Sequence, residues 1–150
     1  MKTLLFAIVI AGLVWFLRNR ISRGDADRWH IDPADEDEPG RTGWRMIGRE
    51  APRYPGDPTS VLNAFTEIAL SEPRVRLLDG DTSEGMITFT VRSKGFGFKD
   101  YITVKAVAKG PQTKLGVISR AGASAGTDMG RNRERLDRWL AELERRLTER

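Results

Sequence analysis

The stretch MITFTVRSKGFGFKDYITVKAVA, residues 86–108, decides the fold of this chain. Apolar and polar side chains alternate along 86–93 and again along 101–108, which is the pattern of half-buried strands. The segment between them, SKGFGFKD, carries two glycines and is typical of a turn. We therefore predict a β-hairpin with one buried face and one face turned to water. The side chains expected to face water are those of Thr88, Thr90 and Arg92.

The segments on either side of this hairpin complete an α+β domain. RVRLLD (74–79) and KLGVIS (114–119) read as further strands. A helix is predicted to begin with Asp57 as its N-cap and proline at its first position, and a second helix covers 132–150. We expect residues 58–150 to form an antiparallel sheet of four strands, or slightly more, whose apolar face two helices cover.

The N-terminal segment, residues 1–20, is predicted to be a membrane anchor. Its apolar run over 3–17 spans about 22 Å as a helix, compared with about 30 Å for a bilayer core. The run ends in Trp15 and bulky apolar residues followed by arginines, whereas a cleavable signal ends in small residues. We therefore predict an uncleaved transmembrane helix that contacts the membrane through residues 3–17.

Residues 21–57 are predicted to be an irregular tether. They contain four prolines and an acidic run at 35–38, a composition that disfavours regular structure. RWHIDP (28–33) and GWRMIG (43–48) interrupt the tether with large side chains. We expect these two parts to pack against the domain.

Composition excludes several classes of function. The 25 lysines and arginines are intermingled with 21 aspartates and glutamates, so a nucleic-acid interface is not indicated. The absence of cysteine excludes a disulfide framework and thiolate chemistry, and His30 is the single histidine. One imidazole does not make a metal site, and the acidic run at 35–38 lacks the glycine and the spacing of a calcium loop, so we predict no metal. No nucleotide-binding glycine motif is present, and we predict no cofactor.

GASAG, residues 122–126, matches the G-x-S-x-G pattern of serine hydrolases. A nucleophilic Ser124 would need a base, but His30 lies far upstream, whereas the histidine follows the serine in that fold. The match is therefore interpreted as a loop of small residues. We predict no catalytic residue and favour a protein that is not an enzyme.

An arginine-rich region surrounds the predicted start of the last helix. Arg120, Arg131, Arg133 and Arg135 lie on either side of Asp128. One interpretation is a site for a phosphate, a carboxylate or a lipid headgroup, because arginines and helix N-termini both favour anions. The other is structural: Asp128 caps the helix, an asparagine ties the loop and Arg135 pairs with an acid.

Three spaced motifs, RWHIDP, RSKGFGFKDY and ISRAG…TDMGRNRERLDRWL, resemble the domain of unknown function 1499 family. The resemblance covers about residues 27–145, although the loop between its last two motif segments is longer here. It implies no reaction and no cofactor. By position, the motif residues that it implies are Arg92, Ser93, Phe96, Gly97, Phe98, Asp100, Ser119, Arg120, Gly122, Asp128, Gly130, Asn132 and Arg135.

The location of the domain follows from two opposed arguments. Arg18, Arg20 and Arg23 outweigh the charge before the apolar run, which by the positive-inside rule favours a cytoplasmic domain. Many members of the resembled family have an export signal or an anchor, which implies a location outside the cytoplasm. We expect a single-pass protein of the bacterial inner membrane with a periplasmic domain.

Two functional hypotheses follow. The first is a membrane-anchored, non-enzymatic domain that binds a protein partner or a ligand near the inner membrane, as an accessory subunit of a membrane complex. The alternative is a small-molecule or anion-binding protein, or an enzyme, with its site between the sheet and the loop over 119–135. The residues expected to bind the ligand are Arg92, Asp100, Ser119, Arg120, Asp128, Asn132 and Arg135.

Two side chains of the glycine-rich turn need a separate explanation, because Phe96 and Phe98 are apolar where a turn should face water. We expect them first at the edge of the core, then as the wall of a pocket, and only third as a membrane contact. Asp100 is expected to bond the turn backbone or to face Arg120.

Overall fold

Four helices and six strands make up the part of the chain that the structure describes. This computed structural model covers residues 2–22, 24–36, 39, 42–94, 97–122 and 130–149, with only the backbone at residues 2, 19 and 20. The elements, in chain order, are α1 (Lys2–Ile21), α2 (Ala26–Trp29), β1 (Trp44–Met46), β2 (Arg53–Pro55), α3 (Pro58–Ser71), β3 (Val75–Asp81), β4 (Met86–Arg92), β5 (Lys99–Lys109), β6 (Gln112–Ala121) and α4 (Arg131–Thr148).

The strands form one antiparallel sheet in the order β1-β6-β5-β4-β3, with β2 also pairing with β6. The predicted hairpin is β4–β5, in which Phe89 lies opposite Ile102. The α+β class and the antiparallel sheet are confirmed. The sheet is larger than four strands, because residues 44–55, predicted to be irregular, contribute β1 and β2. Each is three residues long, too short to show a period-two pattern in the sequence.

Helices α3 and α4 cover the apolar face of the sheet. The ring of Phe65 in α3 lies 6.2 Å from that of Phe89 in β4 and meets Trp139 of α4 edge-on at 5.8 Å. All three are almost completely buried. These aromatic contacts join both helices to the hairpin and form the centre of the core.

The two long helices of the domain begin in different ways. The backbone N–H of Ser60 donates to the Asp57 carboxylate at 3.0 Å, which confirms the predicted N-cap of α3. Helix α4 follows Gly130, whose φ of 78° lies in the left-handed region that glycine adopts readily. Asp128, the predicted cap of α4, lies outside the described residues.

The middle of the second face of the sheet is covered by protein, so the prediction that Thr88 and Thr90 face water is wrong, and Arg92 is half-buried. Thr88, Thr90 and Thr103 are buried, and the segment 24–36 lies over Thr88 and Thr103. The side chain of His30 meets Thr88 at 2.9 Å, and the Thr103 hydroxyl donates to the Trp29 carbonyl at 3.1 Å. The hydroxyl groups of Thr88 and Thr103 therefore bond to the overlying chain instead of to water, a difference that polarity alone does not reveal.

Helix α1 occupies the segment that was predicted to be the membrane anchor. Its apolar side chains are exposed to solvent along most of its length. Within the described ranges, no helix is both long enough and apolar enough to cross a membrane. Beyond its end, Ser22 is bonded to the domain: its carbonyl accepts from Arg92 at 2.7 Å and its hydroxyl from Lys99 at 2.5 Å.

Candidate functional site

An open pocket of about 520 Å³ lies where the end of the β4–β5 hairpin meets the end of α3 and the start of α4. The packing of both helices on one sheet face brings these three chain segments together. The pocket is lined by Glu72, Pro73, Arg74, Val91, Arg92, Ser93, Lys94, Phe98, Asp100, Arg131, Glu134, Arg135 and Arg138.

The lining carries an excess of positive charge, with six basic and three acidic residues. Two of the carboxylates pair with arginines of α4. Arg135 lies 3.4 Å from the Asp100 carboxylate, and Arg138 donates to Glu72 at 2.5 Å. These pairs neutralise part of the lining, and the remaining excess of cations favours an anion in the pocket.

Glu72 is held in its ionised form. Burial would raise the pKa of this carboxyl, but hydrogen bonds from Arg138 and from the Trp139 indole, at 2.9 Å, lower it overall. Glu72 therefore remains a fixed negative charge that anchors one wall of the pocket to α4.

Four of the predicted site residues lie on the helix side of the sheet and make structural contacts. The Ser119 hydroxyl donates to the Asn132 side chain at 2.8 Å, and the Asn132 amide donates to the Thr42 carbonyl at 2.9 Å. Arg135 also donates to the Asn132 oxygen at 2.8 Å and reaches Asp100. This arrangement matches the structural interpretation, in which an asparagine ties the region and Arg135 pairs with an acid.

Arg120 does not belong to this pocket, and the expectation that it faces Asp100 is not met by its described contacts. It lies opposite Tyr101 in the sheet and points to the other face. There it donates to the Trp29 carbonyl at 2.6 Å and lies 3.0 Å from the Glu36 carboxylate. Neighbouring residues of a strand point to opposite faces, which separates Asp100 from the Tyr101–Arg120 pair.

Arg92 connects the pocket with the opposite face. It lines the pocket, while its guanidinium reaches across to the Ser22 carbonyl. Lys99, its partner in β5, is nearly buried beside the same serine. Burial and the charge of Arg92 lower the pKa of Lys99.

The glycine-rich turn forms one wall of the pocket. The Phe98 carbonyl accepts from the Ser93 backbone N–H at 2.8 Å, and Phe98 is 38 % exposed. Phe98 was expected first at the edge of the core and second in the wall of a pocket, and the structure places it in the pocket wall. The buried Ser93 hydroxyl has no hydrogen-bond partner in the described part of the chain. Phe96 lies outside the described residues, as does Ser124.

Sequence reasoning missed five charged lining residues, Glu72, Arg74, Lys94, Glu134 and Arg138. Glu72 and Arg74 flank the proline that follows α3, and Arg138 lies in the second turn of α4. No local pattern distinguishes them from ordinary surface charges. One signal was available. Two helices that pack on the same sheet face bring the end of α3 and the start of α4 to the same edge of the sheet.

Comparison with known proteins gives one result for the family. The family model described as "Protein of unknown function (DUF1499)" matches residues 48–143, more than half of the chain. The matched range contains every described residue that lines the pocket. No curated protein matches the chain. The match confirms the resemblance read from the motifs, and the chain belongs to the DUF1499 family of proteins of unknown function.

Proposed function

We propose that this protein is a non-enzymatic binding domain that α1 holds at a membrane and that takes an anionic ligand in the pocket at the end of the β4–β5 hairpin. One observation carries the proposal. Five residues from two separate family motifs, four in the β4–β5 hairpin and one in α4, meet in a single positively charged pocket. They are Arg92, Ser93, Phe98, Asp100 and Arg135.

The chemistry of the pocket supports binding more than catalysis. Asp100 and Glu72, two of the three acidic lining residues, are engaged with arginines, so neither is placed as a free general base. The lining offers guanidinium and ammonium groups, which bind phosphate and carboxylate oxygens by charge-assisted hydrogen bonds. Phe98 adds an exposed apolar surface for a less polar part of the ligand.

The surface of α1 supports membrane association. A helix that is apolar on every side and exposed has no stable place in water. The apolar stretch, about 22 Å long as a helix, enters a bilayer with Trp15 and the following arginines near the headgroups. Its exposed large apolar side chains are Leu4, Leu5, Phe6, Ile8, Val9, Ile10, Leu13, Val14, Trp15, Leu17 and Ile21.

Thermal denaturation of the full chain with added inorganic phosphate, at constant ionic strength, tests the pocket. We expect the melting temperature to rise with phosphate, because a ligand that binds only the folded state stabilises it. The variant Lys94→Gln/Arg131→Gln should lose this rise. A matched control, Arg49→Gln/Lys109→Gln, removes the same charge outside the pocket and should keep it. Equal responses of both variants would reject the anion site.

Co-sedimentation with phosphatidylcholine vesicles tests the membrane contact. The full chain should bind, and Val9→Asp should weaken partitioning by about 3 kcal/mol, the cost of an aspartate in the middle of an inserted helix. Val107→Asp is the matched control, since Val107 is an exposed valine of β5. Loss of binding in both variants, or in neither, would contradict anchoring by α1.

The location that we propose is the periplasmic side of the bacterial inner membrane, which rests on the family resemblance. Protease treatment of spheroplasts should digest the domain without lysis. Digestion only after lysis would place the domain in the cytoplasm.

A protein partner is the second candidate ligand. Strand β3 lies at the edge of the sheet, and its Leu77 is 51 % exposed. An edge strand can accept an extended segment of another chain. Crosslinking of the anchored protein in membranes should then capture a stoichiometric partner that the Leu77→Lys variant does not capture.

A further inference from the structure

The pocket and the end of α1 lie at the same end of the sheet. Arg92 lines the pocket and donates to the carbonyl of Ser22, the first residue after α1. Lys99 donates to the hydroxyl of the same serine. A single arginine side chain therefore spans the distance from the pocket lining to the end of the helix.

The rim of the pocket is amphipathic. Lys94 is exposed and lines the pocket together with Phe98, which is itself partly exposed. Arg131 of α4 adds a second exposed basic residue. Basic groups beside an exposed aromatic ring suit the interface of a bilayer, where phosphates lie above the first acyl carbons.

From these positions we infer that the anion bound in the pocket is the phosphodiester headgroup of an anionic phospholipid in the membrane that α1 enters. This inference rests on the proposed function and names the ligand. Lys94 and Arg131 bind the phosphate, and Phe98 contacts the glycerol and the adjoining acyl carbons. The end of α1 holds the pocket at the depth where headgroups lie.

The opposite end of the sheet supplies a control of equal charge. Lys109 ends β5, about 33 Å from Lys99 at its start. Arg49 is exposed in the turn that follows β1. Removing these two charges changes the net charge as much as removing Lys94 and Arg131, but leaves the pocket lining intact.

The experiment measures binding of the full chain to vesicles of phosphatidylcholine, with and without phosphatidylglycerol. We expect phosphatidylglycerol to increase the affinity, and Lys94→Gln/Arg131→Gln to lower the increase roughly tenfold. Arg49→Gln/Lys109→Gln should keep most of it. Glycerol 3-phosphate in solution should compete for the increase. Melting temperatures show that each variant is folded. Two single variants, Lys94→Gln in the pocket and Lys109→Gln outside it, repeat the comparison with a smaller change of charge.

Three outcomes separate the inference from the proposed function. Equal losses in the pocket and control variants would show attraction by net charge alone and overturn the inference. A phosphate-dependent rise in melting temperature without any effect of phosphatidylglycerol would assign the pocket to a free anion, which overturns the inference but leaves the proposed function standing. Failure of the chain to bind either vesicle would remove the membrane association on which both depend.

Discussion

The indole of Trp29 stacks on the ring of Tyr101, with centroids 4.1 Å apart and planes within 5° of parallel. Trp29 comes from the segment before the domain, and Tyr101 from the middle strand of the sheet. The stack therefore fastens the N-terminal segment over the second sheet face. The guanidinium of Arg120 lies 5.1 Å from the centre of the indole and donates to the Trp29 carbonyl. Arg120 therefore holds both the side chain and the backbone of Trp29.

Removing this stack should destabilise the domain. We expect Trp29→Ala to lower the free energy of unfolding by about 2 kcal/mol, since it deletes a half-buried aromatic side chain and its ring contact. Urea denaturation of the full chain measures the change. Trp15→Ala, in the exposed part of α1, is the same substitution and should leave the domain as stable as before.

The Arg135–Asp100 pair should contribute more than an exposed pair of similar length. Arg135 and Asp100 are 14 % and 25 % exposed, whereas Arg133 and Asp137, only 0.1 Å farther apart, are 62 % and 54 % exposed. A double-mutant cycle with Arg135→Gln and Asp100→Asn should give a coupling of about 1 kcal/mol. The Arg133–Asp137 cycle should give about 0.3 kcal/mol. Equal couplings would mean that burial does not strengthen the pair.

Asn132 should behave as a structural residue. Its fully buried side chain joins α4 to Ser119 and to the Thr42 carbonyl, so Asn132→Ala leaves buried polar groups without partners. We expect a loss of about 2 kcal/mol in the free energy of unfolding. Asn63→Ala, at an exposed position of α3, should be neutral or slightly stabilising because alanine favours helix. If Asn132→Ala unfolds at the same denaturant concentration as the wild type, the hydrogen bonds of Asn132 contribute nothing to stability.

Acid should weaken the contact between α3 and α4. Burial opposes ionisation of Glu72, yet its bonds to Arg138 and Trp139 lower its pKa below the ordinary 4.5. The folded state therefore binds fewer protons than the unfolded state. The stability that ionised Glu72 adds to the folded state is complete above about pH 4.5. It is lost as the pH falls through the lower pKa that Glu72 has in the folded protein.

Urea denaturation at a series of pH values below 5 measures this effect. Glu72→Gln should reduce stability at neutral pH and flatten its dependence on pH in the acid range. Glu50→Gln, at an exposed position, is the control and should follow the wild type. An unchanged acid slope in Glu72→Gln would show that this carboxylate is not the group responsible.

The site could be predicted only in part from the sequence. The motifs pointed to Arg92, Asp100 and Arg135, which do line one pocket. They also pointed to Arg120, which strand alternation places on the other face beneath Trp29. The spacing of residues along the chain does not determine which residues of different strands lie on the same face. That depends on the register of the strands, which the sequence does not show.

Local sequence patterns were sufficient to predict the hairpin, α3 with its Asp57 cap, and α4, because each depends on residues close in sequence. Only the tertiary structure decided that Thr88 and Thr103 are buried, that residues 44–55 add two strands, and that the hairpin end and α4 enclose a pocket. In each case the partner is distant in the chain. A hydroxyl that bonds to a covering segment has the same sequence pattern as one that bonds to water, and the difference arises only when the segment is in place.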